Sequence, residues 1–213
     1  MKRLIALAIS LLIPTVSQAE TTGSSGDTIV GTISVSAEPS MVKGNLAGCE
    51  FVFNAIARDW IYRNGDPIKA TGSIGIISIS GEINAVVKVA VYEMQISDAL
   101  KVEFVPSASD RVYLMNRQLE TNQKSLVTSF SSDTGGFVSI FEISPTFGML
   151  MEAMKTGEIT LAFNKADGAM DIKVPINLRV VDTDHTGKRT ESDETIRDFA
   201  LCTQRLLDTL TEE

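Results

Sequence analysis

The stretch DTDHTGKRTESD holds a cluster of oxygen-bearing side chains that could bind a cation. Asp182, Asp184 and Thr186 alternate along it, and Asp193 takes the twelfth position counted from Asp182. This spacing matches a calcium-binding loop, because hard cations bind clustered carboxylate and hydroxyl oxygens. Asp182, Asp184, Thr186 and Asp193 are therefore candidate calcium ligands.

The same stretch also fits an ordinary turn between a strand and a helix, and we favour that interpretation. A calcium loop of the EF-hand type follows a helix, whereas the residues before Asp182 alternate as a strand does. Lys188 and Arg189 add two positive charges inside the loop. Thr190 with Asp193, or Ser192, can instead cap the helix that follows.

Three shorter patterns lack the partners that their chemistry needs. His185 is the only histidine, and no G-x-S-x-G elbow accompanies it, so we predict an exposed turn residue. The S-x-x-K beginning at Ser40 and the K-T-G beginning at Lys155 have no Ser-Asp-Asn between them. The D-T-G triplet at 133–135 occurs once, whereas paired-carboxylate chemistry needs two. With no cofactor fingerprint either, the sequence favours a protein that is not an enzyme.

An aromatic and basic patch precedes a strong turn signal. Trp60, Tyr62 and Arg63 stand beside Asn64 and Gly65, a pair that favours a tight turn. Tryptophan, tyrosine and arginine are enriched in binding hot spots, which makes these three residues a candidate binding patch. Trp60 suits the edge of a core equally well, and we expect it to pack there.

The N-terminus has the pattern of an export signal. Lys2 and Arg3 precede a short apolar run that ends before Pro14, and Ala19 supplies a small residue for cleavage. We predict a signal peptide at 1–19 and a flexible polar leader at 20–27. One β-rich domain at 28–213 should follow. An exported location, periplasmic or secreted, is therefore expected.

Two cysteines fit that compartment. Cys49 and Cys202 are the only ones in the chain, and an even count in an exported protein suggests a disulfide. No C-x-x-C pair is present that would favour a redox role.

The charge limits the class of partner. The formal net charge is −8 at pH 7, which argues against a broad basic face for nucleic acid or anionic membranes. After the leader, no segment approaches the roughly 18 apolar residues that a membrane span needs. We expect a partner of another kind, either a second envelope protein or a cell-surface molecule.

Periodicity predicts a mainly β fold, either a β-sandwich or a bent antiparallel sheet. Strands are expected at 28–36, 50–58, 68–80, 84–94, 137–143 and 170–180, with 68–80 and 84–94 as a central hairpin. Residues 101–105 and 111–116 should pair with each other, and 118–124 should form an exposed loop.

Two helices complete the predicted fold. A short helix near 145–156 should bury Phe147, Leu150, Met151 and Met154 and stop at Gly157. A C-terminal helix at 191–211 should carry Cys202 on the flank of its buried face.

The functional prediction for the sheet depends on Pro175. It cannot donate a ladder hydrogen bond, so it places the strand at 170–180 on an edge or at a bulge. An exposed edge of this kind can accept a strand from a partner. The sequence therefore favours an exported protein that acts by binding. An exported hydrolase or calcium-dependent protein that uses residues 182–193 is the alternative.

Overall fold

The structure, a computed structural model, describes residues 29–79, 81–96, 101–132 and 136–211. The predicted signal peptide and leader lie outside the described residues, as does the D-T-G triplet. Twelve strands and two α-helices follow one another within these described residues: β1 (Gly31–Val42), β2 (Asn45–Asp59), β3 (Asp66–Ile79), β4 (Glu82–Ile96), β5 (Val102–Ser107), β6 (Val112–Met115), β7 (Leu126–Ser131), β8 (Phe137–Glu142), α1 (Ile143–Thr156), β9 (Glu158–Asn164), β10 (Asp171–Asn177), β11 (Val180–Thr183), β12 (Arg189–Glu191) and α2 (Glu194–Thr211).

These elements form two layers. A seven-stranded antiparallel sheet has the order β1-β2-β3-β4-β8-β7, and β5 pairs with the end of β4 that β8 leaves free. A three-stranded sheet, β10-β9-β6, packs over one face of the larger sheet together with both helices. The predicted mainly β fold with a short helix and a C-terminal helix is confirmed. In the parts of the chain that the structure covers, neither helix is both long and apolar enough to cross a membrane.

Alternation along the long strands builds the core. Phe51, Ile74 and Val87 stand side by side on β2, β3 and β4, and all three are buried. In the next row inward-facing Phe53 and Val89 flank Gly72, where a Cβ would collide with the carbonyl oxygen of Lys88. Burying one such large side chain contributes about 1.5–3 kcal/mol, so this face dominates the stability of the fold.

The Cys49–Cys202 disulfide is present and ties α2 to the larger sheet. Cys202 is half-buried on the flank of α2, as predicted, while Cys49 is fully buried on β2. Next to this bond, the rings of Phe51 and Phe199 stack with their centroids 4.0 Å apart. The covalent bond and the stacked rings therefore hold the helix at one place on the sheet.

An ion-pair network joins the two layers near the end of β4. Glu93 accepts hydrogen bonds from Arg63, Lys165 and Ser107 at 2.7–3.1 Å. Burial acts to raise the pKa of Glu93, but the hydrogen bonds from Lys165 and Ser107 and the positive charges of Lys165 and Arg63 outweigh it, so the pKa lies below its usual value. The carboxylate thus links three separate segments of the chain.

The predicted central hairpin is confirmed, since β3 and β4 pair over their whole length. The predicted pairing of 101–105 with 111–116 is wrong. β5 continues the larger sheet beside β4, whereas β6 pairs with β9 in the smaller sheet. The two short segments are neighbours in the sequence, which suggested a hairpin. In the fold, each pairs instead with a longer strand, β5 with β4 and β6 with β9.

Most of the predicted loop at 118–124 is exposed, but one residue within it is buried. Asn122 is fully buried, where its Oδ1 accepts from the Leu114 amide and its Nδ2 donates to the Thr146 hydroxyl. A short 3-10 turn, Gln123–Ser125, follows, and then β7, a strand that periodicity missed. Buried polar groups of this kind carry no hydrophobic signal.

The buried face of α1 is rotated from the predicted one. Its buried residues are Thr146, Met149, Leu150 and Ala153. Phe147 and Met151, predicted to be buried, are exposed instead, and Ser144 makes no side-chain cap. The hydrogen bond from Asn122 explains the rotation, because it lets the polar Thr146 face inward. Gly157 ends the helix with φ of 79°, as predicted.

Two further boundaries shift. The predicted strand at 170–180 is split, since β10 ends at Asn177 and a turn precedes β11, although Ile172, Val174 and Ile176 keep their inward alternation. The C-terminal helix starts at Glu194 rather than 191, because Arg189–Glu191 forms a strand against β11.

Breaking the disulfide should lower the free energy of unfolding by about 4–5 kcal/mol, because the bond closes a loop with a sequence separation of 153 residues. The double substitution Cys49→Ser and Cys202→Ser, followed by urea unfolding, measures this loss. Leu201→Ser, at a neighbouring side chain that is 53% exposed, serves as the control and should change little. Equal urea midpoints for the double variant and the Leu201→Ser control would contradict the prediction.

Candidate binding edge and cleft

The candidate calcium residues lie on a hairpin formed by β11 and β12. Asp184 Oδ1 accepts hydrogen bonds from the Thr186 amide and hydroxyl and from the Lys188 amide, at 2.6–3.0 Å. The hydroxyl of Thr186, followed by these amides, lowers the pKa of Asp184. These contacts are those of a side chain that stabilises its own turn. His185, in the same turn, is exposed, as predicted.

The other two acidic candidates have separate surroundings. Asp193 Oδ1 accepts from Arg179 Nε at 2.6 Å, and Asp182 stands opposite Thr190 in the hairpin ladder. Ser192 Oγ accepts from the Glu194 amide at 3.1 Å, at the start of α2. Among the residues that the structure describes, no three His, Cys, Asp or Glu side chains are grouped to hold a metal ion. The geometry therefore resembles the strand-to-helix turn more than the cation loop.

The candidate patch at 60–63 divides into two parts. The Tyr62 hydroxyl contacts the backbone amide and carbonyl of Met170, and Arg63 pairs with Glu93 and Asp66. Both side chains are thus used to join segments of the fold. Trp60 lies across Gly65 but is 69% exposed, so the expectation that it packs at the edge of the core is wrong.

Pro175 lies on an edge strand, β10, as predicted, but this edge is covered at both ends. The Asn177 amide donates outward to the Thr32 hydroxyl at 2.8 Å, and Tyr62 contacts Met170. Because amides alternate in direction along a strand, residue 175 faces the same way as Asn177 and has no N–H to offer. An added strand would find its central donor missing here.

Two other edges are also protected. On β1, the Arg189 guanidinium donates to the carbonyls of Val30 and Thr32, and the Thr183 hydroxyl donates to the carbonyl of Ile33. β5 carries a negative charge at Glu103 and a proline at Pro106. Charges, prolines and covering side chains are the usual means by which edge strands avoid pairing.

In the part of the chain that the structure describes, β7 has none of these protections. Its sequence, LVTSFS, contains no charge and no proline, and all six side chains are exposed. Leu126, Val127 and Phe130 are apolar, with 48%, 57% and 50% of their surface exposed. In the described part of the chain, β8 is the one strand that pairs with it. An apolar, uncharged free edge is a template for another strand.

A cleft of about 240 Å³ opens between β7 and β8 on one side and β6 on the other. Its lining includes Val112, Tyr113, Leu126, Phe137, Ser139 and Phe141. Sites for whole cofactors or drug-sized molecules usually measure about 300–1,000 Å³, so this cleft has room for a side chain rather than a cofactor.

Polar groups surround the mouth of the cleft. Arg111 and Tyr113 both donate to Asp171, at 2.6–2.9 Å, and burial followed by this contact raises the pKa of Tyr113 to about 12. Asp110 also lines the cleft, and a hydrogen bond from Asn164 lowers its pKa. Since Asp171 already neutralises Arg111, the mouth carries the net negative charge of Asp110.

Sequence reasoning did not find β7 or the cleft. The only available signal was the run LVTSF, too short to show a period and adjacent to polar residues. No protein-family model, curated protein or solved structure matches this chain.

Calcium should leave the thermal stability unchanged up to millimolar concentrations. Asp184 and Asp193 each accept hydrogen bonds at Oδ1, the latter from the positive Arg179, and no three acidic side chains of the described chain are grouped to hold a cation. Thermal melting with added CaCl2 tests this, with Asp182→Ala as the comparison. A rise in Tm that Asp182→Ala abolishes would instead establish the calcium loop.

Proposed function

We propose that this is an exported, non-enzymatic protein that binds another envelope or cell-surface protein. The contact is made at β7, which takes an extended segment of the partner as an additional antiparallel strand. The observation that carries the proposal is the free edge at 126–131, which is apolar and uncharged where the other edges are charged, interrupted by proline or covered.

Strand addition suits this edge energetically. The unpaired amides and carbonyls of β7 would supply main-chain hydrogen bonds, and its exposed apolar side chains would lose water-accessible area on contact. Left uncovered, such a strand favours aggregation, which a cognate partner prevents. A binding role therefore accounts for a feature that would otherwise be a liability.

Export is supported by two independent features. The N-terminal sequence has the charge, apolar length and small residues that a signal peptidase requires. The Cys49–Cys202 bond requires an oxidising compartment in most organisms. Together they favour a periplasmic or secreted location for the binding event.

Export predicts a defined mature N-terminus. The protein purified from the envelope or culture fluid should begin at Glu20, because cleavage is expected after Ala19. Intact-mass measurement and N-terminal sequencing check this. A replacement of Ala19 by Arg should leave the longer precursor. Recovery of unprocessed wild-type chain from the cytosol would overturn export.

A photo-crosslinking amino acid at position 130 should capture the partner in the native envelope fraction, because that position lies on the open edge. The same amino acid at position 102, on the protected strand β5, is the matched control. Val102 is 56% exposed, a fraction similar to the 50% of Phe130. We expect a discrete adduct from position 130 that Val127→Lys abolishes. Equal crosslinking from both positions, or an adduct that survives Val127→Lys, would contradict strand addition at β7.

A further inference from the structure

The cleft beneath β7 is lined by a serine hydroxyl that no protein group in the described part of the chain bonds. Ser139 is 2% exposed and lines the cleft from β8. In the described part of the chain its hydroxyl has no hydrogen-bond partner, unlike the neighbouring Tyr113 hydroxyl, which donates to Asp171. Ser139 Oγ is not among the fully buried, unpartnered side-chain oxygens of the described chain, so water reaches it in the cleft, and a group that enters the cleft and bonds to it takes the place of that water.

The rest of the lining specifies the shape and polarity of the group. Aromatic rings from Phe137, Phe141 and Tyr113 surround the space beside Ser139. Rings favour other rings in offset or edge-to-face contact. A flat apolar group that ends in a hydroxyl can therefore pack against these rings and hydrogen-bond to Ser139.

The position of the cleft connects it to the free edge. Leu126 and Ser129 of β7 line it, and both lie on the same side of the strand, opposite Phe141 and Ser139 of β8. Side chains of an added strand would alternate between this side and the outer face. One side chain of that strand would consequently point into the cleft.

The charge at the mouth of the cleft specifies a second residue of the partner, two positions from the first and on the same side of its strand. Asp110 is ionised at neutral pH as any ordinary aspartate is, and hydrogen bonds from the Asn164 side chain and the Asp167 backbone amide lower its pKa further. A basic residue on the partner would meet this charge, and the chain's net charge of −8 favours approach of a basic segment.

We propose that the cleft between β6 and β7–β8 takes a tyrosine side chain of the added strand, with a lysine or arginine two residues away, on the same side of that strand, facing Asp110. The inference rests on the proposed strand addition at β7, and it names the chemistry of the partner segment. The tyrosine hydroxyl bonds to Ser139, its ring lies among the three aromatic rings, and the partner's basic residue stays at the solvent-exposed mouth.

A small-molecule probe tests the cleft without any strand. We expect p-cresol to bind the mature protein with a Kd on the order of millimolar and to shift the NMR signals of residues 137–141. Toluene should bind more weakly, and Ser139→Ala should weaken p-cresol by roughly 2- to 10-fold, the effect of one neutral hydrogen bond. Ser131→Ala, on β7 but outside the cleft lining, is the control and should leave p-cresol binding unchanged.

Synthetic peptides test the partner chemistry. Fluorescence anisotropy compares labelled Thr-Lys-Val-Tyr-Val-Lys-Thr, in which both lysines share a side of the strand with Tyr, with versions that carry Gly in place of Tyr or Glu in place of both Lys. The Gly peptide should bind at least about 10-fold more weakly, because it leaves the cleft unfilled. The Glu peptide should lose several-fold in affinity, and Asp110→Asn should remove that difference.

The outcomes separate the inference from the function on which it rests. Binding of p-cresol at Ser139 without binding of any peptide would overturn strand addition. Crosslinking from position 130 with no p-cresol binding, or equal affinity for the Tyr and Gly peptides, would overturn the tyrosine assignment alone. A dimer that Phe130→Lys dissociates would show that the occupant is a second copy of this chain and would also overturn it.

Discussion

The fold depends on covering one face of four long strands. β1 to β4 turn alternate apolar side chains to the same side, and such a face is stable only when another layer excludes water from it. The small sheet and the two helices provide that layer. Because the small sheet has only three strands, it cannot reach across all seven strands of the larger one, and the cleft opens near β7 where the cover ends.

The disulfide helps to keep this face covered at the end of the sheet opposite β7. It joins α2 to β2 near β1, far along the sheet from β7, and the stacked rings of Phe51 and Phe199 reinforce it. One side of the sandwich is therefore closed covalently, by packing and by the side chains of the β11–β12 hairpin. On the other side, the short strands β6, β7 and β8 surround the cleft.

Prediction from sequence succeeded where local patterns matched their final neighbours. The β3–β4 hairpin and the alternation at 172–176 follow from periodicity and turn residues, and the disulfide follows from the even number of cysteines. It failed where a polar group decided the outcome, as at Asn122 and Thr146, whose hydrogen bond rotates α1. It also failed where a segment chose between several partners, as β5 did. The sequence did not predict β7 because all its side chains are exposed, so no alternation of buried and exposed residues marks it as a strand.

The asymmetry of the sheet edges has a consequence for stoichiometry. A strand added at β7 creates a new outer edge that belongs to the partner, while the opposite edge at β1 stays blocked by Arg189 and Thr183. Head-to-tail polymer growth needs two complementary open ends on each subunit. With one end closed, docking at β7 alone gives a terminated one-to-one complex rather than a fibre.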